Sequence, residues 1–243
     1  NIFANRTEPS PDYKKYLQLF NSDISNWNTS HVLDMTNMFG ANVESSLVAA
    51  TAFNQPIGKW NTGSVQFMYG VFNSVTKFNQ NISNWNTSNV KLMSNMFNNA
   101  NKFNQPLSTW NTGNVRDMSS MFYNATSFNQ PLSTWNTRNV VNMNAVFYKN
   151  TMFNQNISKW DTSKVTDMGF MFDASKKYNH PMSNWNTSKV VNMEFMFFDT
   201  PGFDNDISNW NTDSVTNMQN MFIGSGFNQV ISKWNTHNVL NMA

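Results

Sequence analysis

The sequence predicts an α/β repeat solenoid: a leucine-rich-repeat-like stack of about nine 25-residue coils, each with a short parallel strand, Asn-rich turns and a short helix. Three observations predict it. Every Trp lies on one lattice, at 27, 60, 85, 110, 135, 160, 185, 210 and 234, with spacings of 33, then 25 six times, then 24. Val follows each Trp by five residues, from Val32 to Val239, and Met follows by eight, from Met35 to Met242. An aromatic precedes each Trp by seven, Tyr178 in one coil and Phe in the rest, and Phe stands twelve after the Trp from Phe39 to Phe222. A unit of this size cannot bury its apolar face alone, so stacked neighbours supply the core. Fifteen of the 17 Met and 16 of the 21 Phe occupy these columns, which commits nearly all the large apolar side chains to that core.

Residues 1–19 fall outside the repeat and read as an N-terminal cap, within which Pro11 to Leu19 (PDYKKYLQL) has the look of a short helix with Pro near its start. Residues 20–243 are the solenoid. Its first interval is long because eight extra residues sit between Phe39 and Phe53, an insertion within 40–52. The last coil is incomplete, and both ends read as cut from a longer chain. In the unit from Phe103 to Ser127, Pro106 opens a turn, and Leu107 to Trp110 is the expected strand. Asn111 and Thr112 are turn and cap residues. Val115, Met118, Met121 and Phe122 then fall at i, i+3, i+6 and i+7, which is helical spacing.

Two polar columns are nearly as regular. Asn follows the Trp in every coil except at Asp161, and follows the first aromatic in every coil except at Asp204. Thr stands two after every Trp. Stacked amides donate and accept along an array, so these columns are expected to be structural ladders. At about 4.8 Å per coil, nine coils make a rod of roughly 40 Å.

Composition narrows the function classes. Only 12% of the 243 residues are charged and the net charge is +2, with no Lys/Arg run, so nucleic acid and anionic membrane are not expected partners. With no Cys, stability rests on packing rather than disulfides, and thiolate metal sites are excluded. No stretch approaches the roughly 18 apolar residues of a membrane span.

The pattern FNQPLSxWNTSxVxxMxxMFxxA, carried in close to full form from Phe20 to Ala243 and seen in Asn84 to Val90 and on to Met96 and Phe97, resembles the BspA-type leucine-rich repeat. It is similar to the variant found in surface proteins and lipoproteins of mycoplasmas and in cell-wall proteins of lactic acid bacteria. The resemblance implies a bacterial, extracellular or cell-surface protein concerned with adhesion or host contact through protein–protein interaction, and implies no catalytic residues.

No residue pattern in the sequence points to catalysis, and a non-enzyme is expected. His31, His180 and His237 lie several coils apart in different columns, so they form neither a metal cluster nor a catalytic pair. Asp34, Asp117 and Asp167 share a column, but two or more coils separate them, and no phosphate loop, nucleophile elbow or zinc signature appears. No cofactor is expected. The Asn-x-Ser/Thr triplets at Asn5, Asn28, Asn81, Asn86, Asn124, Asn156 and Asn186 are what this composition produces by chance.

Binding is expected where the repeat varies on its outer side. The columns ten and thirteen after the Trp are three apart, hence on one face of the expected helix. They hold Phe170 and Phe195, and Tyr123, Tyr148, Phe198 and Ile223, where other coils carry mostly Asn, Ser, Gly or Asp. These six are the candidate partner-binding residues, an apolar strip for a protein or glycan on a cell surface. The alternative is that they pack into the core or against a neighbouring domain. The insertion, with its apolar run Leu47 to Ala50, is a second candidate. Two rival functions stay open: a coat or filament component that self-associates end to end, and ice binding through an exposed Thr column.

Overall fold

A single residue per coil sets the stacking register. In the computed structural model, which describes residues 11–41 and 48–243, each coil meets the next through one parallel bridge seven residues after the Trp. The bridges run from Asp34 and Phe67 through Leu92, Asp117, Asn142, Asp167, Asn192 and Asn217 to Asn241. The chain is thus a repeat protein whose copies lie one on another in strict order.

From each bridge onward most backbone N–H groups are paired. In the coil of Trp110, the N–H groups of Met118, Ser120, Phe122 and Asn124 donate to the carbonyls of Asn142, Asn144, Val146 and Tyr148 in the next coil, at 2.7–3.1 Å. The intervening N–H groups of Met121, Tyr123 and Ala125 close turns onto Met118, Ser120 and Phe122. Alternate donors therefore face the next coil while the others fold the coil on itself, and buried backbone groups find partners without a helix or a broad sheet.

This corrects the expected helix and strand. Among the described residues the one helix is α1, Pro11–Leu19, and no strand exceeds an isolated bridge. The segment from Val115 to Asn124 is a run of tight turns, with φ of +54° at Ser120 and +50° at Asn124. Those left-handed residues break a helix at each turn. Three-residue turns still return Met118, Met121 and Phe122 to one side, which is why their spacing looked helical. Leu107 to Trp110 is also a turn, closed by the Trp110 N–H on the Leu107 carbonyl at 3.1 Å. Its backbone bonds to itself rather than to a neighbouring strand.

The core is a set of aromatic and Met columns. Phe97 lies against Phe103 at 4.0 Å between ring centroids, and against Phe122 of the next coil at 5.6 Å, both stacked. Trp85 and Trp110 stack at 6.4 Å with planes 2° apart. Each indole from Trp60 to Trp234 donates its N–H to a carbonyl of the preceding coil, as Trp110 does to Ile82 at 3.1 Å. Burying such side chains contributes about 25 cal/mol per Å² of apolar surface, and the paired indole avoids a desolvation cost.

The polar columns act as ladders and turn locks. Asn104 N–H donates to the Asn79 side-chain oxygen at 2.9 Å, and the same bond recurs up the column. The Asn after the Trp locks its own turn, as Asn111 Oδ1 accepts the Gly113 N–H at 3.0 Å. The Thr column is buried from Thr29 to Thr212. Thr112 is 1% exposed and its hydroxyl donates to the Asn136 carbonyl of the next coil at 3.0 Å. Thr112 therefore bridges coils instead of capping a helix, and Thr62, Thr87, Thr137, Thr162, Thr187 and Thr212 are equally buried. From Thr29 to Thr212 the column is not a surface that could meet ice, because each of those hydroxyls is already spent on backbone, and Thr236 of the last coil is the one exposed member.

At the N-terminal side, Leu17 of α1 is buried, and Gln18 accepts from the Ala52 N–H at 3.0 Å. The insertion returns at Ala49 and Ala50, both buried, where Ala50 N–H bonds Phe39 at 2.8 Å just as Ala100 bonds Phe97. Ala50 thus takes the place of the ordinary turn-closing residue. The rest of the insertion, 42–47, and residues 1–10, with the triplet at Asn5, lie outside the described residues.

Candidate binding ridge

Each coil has two corners after its bridge, ten and thirteen residues beyond the Trp, some of them buried, as at Asn37, Gly70 and Ala145, and part-exposed where the residue is aromatic. They share a face because both are turn apices, not because they sit on a helix. Five of the six candidate residues meet there. Tyr123 packs edge-on against Tyr148 at 4.7 Å, Tyr148 lies 6.0 Å from Phe170, Phe170 stacks on Phe195 at 4.9 Å, and Phe195 meets Phe198 at 5.3 Å. The result is a continuous ridge across four coils, every ring of it part-exposed. Ile223 lies further along the same column, 54% exposed, and makes no ring contact with the ridge.

Backbone conformation sets these rings apart from the core. Phe170 has φ +58° and Phe195 φ +52°. The equivalent positions in other coils share this conformation and carry small residues, Asn37, Gly70, Asn95 and Asn220, which tolerate it, and Ser120 and Ala145, which add no bulk to it. A side chain with a Cβ costs roughly 1–2 kcal/mol there, and a bulky one is an outlier. Two large aromatics held at such positions, partly in solvent, are a local expense the coil does not require. Backbone strain of this kind concentrates at functional sites.

Two charged groups that sequence spacing did not single out belong to the ridge. Asp173 occupies the same column as Tyr148 and Phe198, between them, and is only 5% exposed. Burial pushes its carboxyl up to about 7, against the opposing pull of Lys149 and with a further push from Asp199. Lys149 holds its ammonium 4.9 Å from the Tyr148 ring centroid, a cation–π contact, and Tyr148 keeps that ammonium above its ordinary range. Lys176 pairs with Asp199 beside them. The column alone could have flagged Asp173, since it is the acidic residue among the aromatic ones. Its burial could not be read without the coil.

The other groups weighed in the sequence have structural duties. Asp34, Asp117 and Asp167 each accept the N–H two residues on, at 2.8–2.9 Å. His180 replaces the Gln of its column and contacts the Asn154 carbonyl at 2.9 Å, while His31 and His237 are exposed. Among the described residues no group of three or more His, Asp or Glu is placed to hold a metal ion, and no helix is long and apolar enough to cross a membrane.

Comparison with known proteins is sparse. No curated protein matches the chain. One family model matches it in three overlapping stretches, residues 13–46, 41–158 and 142–243, under the description "Mycoplasma protein of unknown function, DUF285". These stretches take in nearly the whole sequence, and the chain belongs to that family.

Proposed function

We propose that this chain is a non-catalytic binding module of a cell surface, a BspA-like leucine-rich-repeat solenoid without the helix, whose aromatic ridge engages a protein or glycan partner. The observation that carries the reading is the run of rings from Tyr123 to Phe198, part-exposed and contiguous, two of them at left-handed backbone positions. Exposed aromatic patches with a polar surround mark interaction sites, and rigid rings give contact area at small entropic cost. The resemblance of the repeat to that of bacterial surface proteins supports the location and the adhesive role. The buried Asp173 beside Lys149 adds a polar anchor inside an apolar face.

An array of glycans and extracellular-matrix proteins, probed with the parent and with Phe195→Asn, tests this reading. A ligand bound by the parent and lost by the variant supports it, and a ligand bound equally by both removes the ridge as the site. The rival reading, copies stacking end to end as a coat, needs no ridge. Sedimentation that shows concentration-dependent assembly unaffected by Phe195→Asn favours the coat.

A further inference from the structure

A second surface of the stack gathers positive charge that the linear sequence disperses. Five successive coils, from the one holding Trp60 to the one holding Trp160, form an open groove of about 660 Å³ lined by the columns four and six residues after the Trp. Lys91, Arg116 and Lys164 lie in it, and among the described residues no carboxylate lines it. The sequence shows no basic run because these cations are 25 and 48 residues apart, yet the repeat brings Lys91 and Arg116 into adjacent coils. All three are exposed. Arg116 makes no side-chain hydrogen bond or ion pair among the described residues, so a planar five-donor group is left facing the groove.

The uncharged lining has its own pattern. Asn89, Asn114 and Asn139 each donate their side-chain N–H to a carbonyl of the preceding coil, Gly63, Ser88 and Gly113, at 2.7 Å. That fixes the amides in a row and turns them one way. The Asn139 oxygen accepts Lys164 at 2.8 Å, whereas the oxygens of Asn89 and Asn114 have no partner among the described residues. Lys91 donates to the Gln66 side-chain oxygen at 2.8 Å, so fixed acceptors stand beside cations in two adjacent coils, with Lys164 two coils further along a groove of about 20 Å.

We infer that this groove is a track for a linear sulfated polysaccharide, with Arg116, Lys91 and Lys164 taking sulfate groups and the Asn89 and Asn114 oxygens accepting sugar hydroxyls. The match is one of chemistry: such a chain presents strong anions and hydroxyl donors side by side, and guanidinium pairs with anionic oxygens in a bidentate manner. A single-stranded nucleic acid is the other linear polyanion. It binds by stacking its bases on aromatic rings as well as by charge, and no aromatic lines this groove. The groove shares no residue with the aromatic ridge, so it stands or falls independently of the ridge's function.

Fluorescence anisotropy with a labelled heparin octasaccharide tests it. The parent is expected to bind at low salt and to weaken as ionic strength rises. Lys91→Ala/Arg116→Ala/Lys164→Ala should bind about tenfold or more weakly, as three exposed ion pairs predict. Lys59→Ala/Lys77→Ala/Lys102→Ala removes the same charge from exposed sites outside the groove and should bind as the parent does. Melting curves establish that both are folded, and Arg116→Gln alone, with a loss of a few fold, serves if the triple variant is not. No binding by the parent overturns the assignment, as does equal loss in the two triple variants. A DNA oligonucleotide of equal charge that binds the groove as tightly as heparin would make the track a nucleic-acid site instead.

Discussion

Tyr178 carries a hydroxyl where its column otherwise holds Phe, and it is wholly buried with no partner for that oxygen among the described residues. A buried unpaired hydroxyl costs about 1–3 kcal/mol, so Tyr178→Phe is expected to stabilise the protein by about 1 kcal/mol in a denaturant titration. Thr112 is the opposite case. Thr112→Val leaves the Asn136 carbonyl without its donor and should cost about 1 kcal/mol. Asp173 makes stability depend on pH. Its folded value near 7 lies above the ordinary 3.8, so between these values the folded state binds more protons than the unfolded one. Stability therefore falls as pH rises from about 4 to about 7 and then levels off. Asp173→Asn should remove that decline, melting higher than the parent at pH 8 and close to it at pH 4.

At the scale of one coil, the turns decide the structure. Asn124 has φ +50° and its amide donates to the Asn99 oxygen at 2.7 Å. Asn124→Val places a β-branched residue in the left-handed region and removes that bond, at an expected cost of about 2 kcal/mol in chemical denaturation. The coil also marks what spacing could reveal. The inward set of Val115, Met118, Met121 and Phe122 was legible, because burial imposes regular spacing whatever the backbone does. The helix was a misreading, since two linked turns and a helix both return a side chain every three or four residues. The strand at Leu107 to Trp110 failed for a related reason: a short apolar stretch after Pro does not say whether its N–H groups bond across coils or within the turn. The Asn and Thr columns were read rightly as structural. Only the folded stack reveals that Thr112 bonds the next coil rather than its own.

For the whole molecule, the repeat brings together residues that sequence distance keeps apart. The ridge was visible as two variable columns, and the structure joins five of its six residues on one face. The strain under Phe170 and Phe195, the burial of Asp173 and the basic groove were not visible, because each depends on which corner of the coil turns outward. The central claim is that the ridge rings serve a partner rather than the fold, and Asn is the residue that the same columns carry elsewhere, as at Asn95 and Asn98. The most direct test is the thermal melt of Tyr148→Asn/Phe170→Asn/Phe195→Asn/Phe198→Asn beside the parent. If the rings are a binding face, lost ring contacts are offset by relief at the two left-handed positions, and the melting temperature should stay within about 5 °C of the parent. A fall of more than about 15 °C would mean that the rings are core, and it would contradict the account.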